Sequence, residues 1–60
     1  MNLVDCYVTE ILYRKETELD GEPWVVYGVT AVSWGREFET ILVYPAGEEP
    51  KIETGFRFLA

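Results

Sequence analysis

Ser33 to Tyr44, Ser-Trp-Gly-Arg-Glu-Phe-Glu-Thr-Ile-Leu-Val-Tyr, is the stretch whose conformation decides the architecture of this chain. Trp34, Phe38, Ile41 and Leu42 recur at the spacing that lines one face of a helix. Ser33 is a fitting N-cap, because its hydroxyl accepts from an unpaired backbone N–H of the first turn, and Pro45 stands where a helix has to end. The same residues also alternate, Phe38, Thr40, Leu42 and Tyr44 against Glu39, Ile41 and Val43, and a run of Thr, Ile, Val and Tyr suits a pleated strand by propensity. The brackets at Ser33 and Pro45 decide the reading for about three turns of helix. A strand is its open alternative.

The flanking segments read as strands. From Leu3 to Tyr13 the residues alternate, with Val4, Cys6, Val8 and Leu12 on one side and Tyr7, Ile11 and Tyr13 on the other. A strand apolar on both faces needs cover twice, once from the chain's own helix and once from a second copy. Arg14 to Pro23 is charged and contains Asp20-Gly21, a hairpin turn signal. Trp24 to Val32 supplies the returning strand, with Gly28 as a bulge or a point of close approach. Pro45 to Pro50 is a loop by composition, and Ile52, Thr54, Phe56 and Phe58 alternate with polar neighbours as a last strand. The expected fold is α+β: a three-stranded antiparallel sheet with one helix, in the order β-β-α-β, as one domain over residues 1–60. A small all-β barrel of five short strands is the alternative.

A chain of 60 residues buries only about 60% of the surface its unfolded form exposes, so its core is thin. Cys6 is the lone cysteine and there is no histidine, which leaves no disulfide framework and no zinc set. Self-association is the remaining way to cover an apolar content of 48%, and a homodimer is expected. Eleven Asp and Glu against five Lys and Arg give a net charge of −6, which disfavours direct binding to nucleic acid or to an anionic membrane and favours basic partners. A lone thiol suits a reducing interior, and neither a leader pattern nor an apolar stretch near the ~20 residues of a membrane span is evident, so a cytoplasmic location in the host cell is expected.

The residues offer no catalytic set. General acid–base work at neutral pH draws on His or on carboxylates displaced by burial or by each other. Glu37 and Glu39 point about 200° apart on a helix, and only on a strand would they share a face. Cys6 has no base beside it in the sequence and reads as a small apolar strand residue. The glycines form no phosphate-cradling motif, and no cofactor or metal is expected. Interaction features are stronger. As a helix, Trp34, Phe38, Ile41, Leu42 and Tyr44 spread over roughly 160° of arc, wider than the ~100° stripe that one core needs. Glu37 and Glu39 flank that arc, an arrangement in which aromatics bury area while carboxylates steer a basic partner.

Leu3-Val4-Asp5-Cys6-Tyr7-Val8-Thr9, the Asp20-Gly21 turn, Tyr27, and Ser33 followed by Phe38-Glu39 and Tyr44 resemble the small dimeric phage-encoded inhibitors of uracil-DNA glycosylase. The resemblance implies three antiparallel strands and one helix, and a homodimer whose helices flank a shared apolar pocket. It also implies DNA mimicry: carboxylates where phosphates would lie, and a box that captures the side chain the enzyme drives into the duplex. By that likeness Phe38 lines the box and Glu39 accepts from the phosphate-gripping loops. Trp34, Leu42, Tyr44 and Glu37 are adjacent candidates from the helical stripe. The rival readings are an inhibitor of another nucleic-acid enzyme and a dimerisation or assembly module.

Overall fold

A computed structural model describes residues 3–60 and shows an all-β protein. Four strands form one antiparallel sheet: β1 (Asp5–Leu19), β2 (Glu22–Ser33), β3 (Arg36–Pro45) and β4 (Arg57–Leu59), in the order β3-β2-β1-β4. The expected helix is absent: residues 36–45 are a strand paired along their whole length with β2, from Ser33↔Arg36 to Trp24↔Pro45. The α+β expectation is therefore overturned, and the all-β alternative is nearer, although the sheet is open and has four strands. The alternation from Glu37 to Tyr44 determines the outcome. Next to the Val-rich β2, an extended segment pairs its inward-facing backbone groups, leaves the outward ones to water at the sheet edge, and puts Leu42 in the core and Glu39 in water.

The two connections between the long strands are two-residue turns. Asp20 (φ 51°) and Gly21 (φ 79°) join β1 to β2, and Trp34 (φ 55°) and Gly35 (φ 72°) join β2 to β3. Positive φ at both central positions gives the twist that matches the flanking strands. Asp-Gly advertises such a turn. Trp-Gly does not, because a bulky side chain in the left-handed region costs about 1–2 kcal/mol, and the pairing of β2 with β3 holds it there.

Directly opposed residues share a face, and the register sorts them cleanly in β2 and β3. Val25, Tyr27, Val29 and Ala31 stand with Tyr44, Leu42, Thr40 and Phe38 on one face. Over this face runs the segment from Ala46 to Phe56, held by hydrogen bonds Ala46 N–H to Pro23 C=O at 3.1 Å, Gly55 N–H to Val8 C=O at 2.7 Å and Val8 N–H to Phe56 C=O at 2.9 Å. It seats Ile52 against Val8, Val29 and Leu42, with Tyr27, Tyr44, Phe56 and Phe58 packed around them. Arg14 fixes the same segment from the side: its Nε donates to Tyr27 Oη at 3.2 Å and its Nη2 lies 3.6 Å from Glu49. The expected last strand from Ile52 to Phe58 is thus mostly this covering layer, and only Arg57–Leu59 pairs with β1.

β1 departs from simple alternation because two bulges interrupt its pairing, one between Val8 and Glu10 and one between Ile11 and Tyr13. Each adds a residue on β1 and shifts the side-chain phase. Leu12, expected beside Cys6 and Val8, is consequently exposed, whereas Cys6 and Val8 are buried as expected. Gly28 is a point of close approach, since a methyl there would sit inside the Tyr13 ring.

Ser33 tests the two readings of this region. As an N-cap its hydroxyl would be worth about 1 kcal/mol. In the sheet its Oγ is buried without a hydrogen-bond partner. Ser33→Ala is expected to leave stability unchanged or raise it by up to about 1 kcal/mol, because the buried hydroxyl is relieved of its desolvation cost. Denaturant unfolding measures this, and a clear loss of stability would contradict the sheet placement.

Candidate functional site

Opposite the covered face, the sheet carries a second set of side chains over which the described residues place no further layer, with Val26 and Thr30 buried between their neighbours. Its rows across the strands, read from the register, are Arg57–Tyr7–Val32–Glu37, Glu10–Thr30–Glu39, Tyr13–Gly28–Ile41 and Lys15–Val26–Val43. Tyr7, Tyr13, Ile41 and Val43 are exposed there, at 41–55% of their full surface. The Lys15 ammonium sits 6.0 Å from the Tyr13 ring centre.

The six residues singled out in the sequence do not converge. Leu42 is core, and Phe38 and Tyr44 are half-buried on the covered face. Glu37 and Glu39 are exposed on the open face, sharing it as a strand requires. Trp34 stands alone at the β2–β3 turn, 83% exposed. The expected apolar box of Phe38, Trp34, Leu42 and Tyr44 is therefore not assembled, and among the described residues the surface holds no pocket. The cause is the period: residues that make one stripe at 3.6 per turn are dealt to opposite faces at period two.

What the sheet does assemble is a polarised charge distribution. Glu16, Glu18, Asp20 and Glu22 surround the β1–β2 turn, and Glu48 and Glu49 lie beyond Pro45, which pairs with Trp24 at the same end. Against these six carboxylates stand Arg14 and Lys15, so this end carries −4 of the chain's −6. Arg14 lies 3.7 Å from Glu16 and 3.6 Å from Glu49. Glu18, Asp20, Glu22 and Glu48 pair with no cation among the described residues. Hydrogen bonds from its own N–H and from Gly47 N–H, the latter at 2.7 Å, together with Arg14, hold the Glu49 carboxyl below the usual range. At the opposite end Arg36 and Arg57 balance Asp5 and Glu37. The sequence marks 14–23 as a charged turn, but which carboxylates meet there depends on the loop after Pro45 returning to that end.

No family model, curated protein or solved structure matches the chain. Among the described residues no group of His, Cys, Asp and Glu is placed to hold a metal ion, and no helix is long and apolar enough to cross a membrane.

Proposed function

We propose that this protein is a non-catalytic acidic binding module, acting in the host cell interior, that occupies the basic nucleic-acid cleft of an enzyme. The observation that carries this reading is the acidic end built by Glu16, Glu18, Asp20, Glu22 and Glu48, in which most of the carboxylates pair with no cation among the described residues. Unpaired carboxylates gathered at one end of the sheet offer a basic groove what a phosphate backbone offers it, and they speed encounter with a positive surface. Uracil-DNA glycosylase is the target we put first, on the sequence resemblance alone. The pocket half of that mechanism has no counterpart in the monomer, so mimicry here rests on charge.

The test is uracil excision from an oligonucleotide by purified glycosylase, with this protein titrated in at low salt. Stoichiometric inhibition that weakens as salt rises is the expected result. If a folded sample in large excess leaves excision unchanged, the glycosylase is not the target, and the same titration against basic nucleases tests the wider class. Indifference of all of them would overturn the reading.

A further inference from the structure

The open face leaves Tyr7, Tyr13, Ile41 and Val43 exposed side by side, and its side chains are complementary to themselves. We propose that two copies pack these faces together about a two-fold axis that runs across the strands through the row Tyr13–Gly28–Ile41. That operation keeps each strand over its equivalent and reverses its direction. Tyr13 then meets Tyr13 and Ile41 meets Ile41 of the second copy. Lys15, one row to one side of the axis on β1, lies over Glu10, one row to the other side on the same strand. A two-fold contact repeats every pair, so two Lys15–Glu10 ion pairs close the rim. Glu39 falls opposite Val43 on the edge strand β3, where its carboxylate keeps access to water at the margin.

The other in-plane axis, parallel to the strands, fails on charge. It lays Glu10 over Glu39 and brings both acidic ends together, −4 beside −4. The crossed axis instead sends the two acidic ends to opposite poles of the dimer. The size of the face suits a weak, reversible pairing of two copies. Three strands about 4.8 Å apart over some 27 Å present roughly 390 Å² per copy, so the pair buries about 800 Å², below the ~1,000 Å² of a stable specific interface. Such an interface is modest, so association in the micromolar range is expected.

Sedimentation equilibrium and light scattering on the full chain test this without any partner, which keeps the result independent of the inhibition assay. The wild type, 6.9 kDa as a monomer, is expected to approach twice that mass as concentration rises through the micromolar range. Ile41→Lys places like charges at the axis and should raise the dissociation constant at least tenfold while circular dichroism shows the sheet intact. Lys15→Glu should weaken association, and Lys15→Glu combined with Glu10→Lys should restore it. A wild type still monomeric near 1 mM overturns the proposal, as does a dimer insensitive to Ile41→Lys, which would point to pairing along the β3 edge. Failure of the double exchange to restore association overturns the crossed two-fold.

Discussion

Leu42→Ala is expected to cost about 2–4 kcal/mol, whereas Ile41→Ala, one residue earlier, costs less than about 1. Leu42 is 9% exposed and packs with Val8, Val29 and Ile52; Ile41 is 55% exposed on the open face. Truncating Leu42 removes apolar area and leaves a cavity that a sheet covered by one irregular segment can fill only in part. A 60-residue domain has roughly 3–9 kcal/mol in total, so the variant forfeits a large share of it, and its Tm should fall by roughly 10–25 °C. Thermal unfolding at low micromolar concentration, where any self-association would contribute least, measures both variants. The contrast separates strand from helix. On a helix, residues 41 and 42 lie 100° apart within one apolar stripe and both truncations would hurt; on a strand they face opposite ways. Equal losses would sink the placement of β3.

Local chemistry locates the turn of the first hairpin but not its length, since strands expected to end at Tyr13 and to begin at Trp24 run on to Leu19 and start at Glu22. Asp20-Gly21 demands positive φ at low cost, Val- and Tyr-rich segments lie beyond the charged residues on either side, and β1 and β2 pair across it. Cys6 and Val8 were legible as core by alternation, and Gly28 as a point of close approach. Ser33 to Tyr44 was not. Its two periodicities coexist in the residue types, and the cue that favoured a helix, Ser33 before and Pro45 after, is equally compatible with a strand that starts after a turn and ends at its edge. Trp34 concealed that turn, because nothing about tryptophan announces a left-handed φ. Leu12 was misplaced for a different reason: a bulge is a property of two paired strands, and alternation in one of them does not register the extra residue. The candidate binding residues depend on the helix. Once it is a strand, Leu42 belongs to the core, Glu37 and Glu39 to the open face, and the acidic end emerges only when residues 16–22 and 48–49 are brought together by pairing.

Neutralising that end is the sharpest test of function. Glu16→Gln, Glu18→Gln, Asp20→Asn and Glu22→Gln in one variant remove four charges from exposed positions. The turn survives, since Asn accepts the left-handed conformation that Asp20 holds. With steering removed, association with a basic target should slow by at least tenfold at low salt, and the dissociation rate should change less. The difference from wild type should close near 1 M salt, where the screening length falls to about 3 Å. Stopped-flow association at two ionic strengths measures this, with Glu37→Gln/Glu39→Gln as the comparison, because those carboxylates sit on the open face away from the acidic end. Slowing by both variants in proportion to the charges removed, four against two, would mean that only net charge matters. Slowing confined to the open-face variant would move the site from the hairpin end to the sheet face, and with it would go the claim that charge polarity along the strands is what the partner reads.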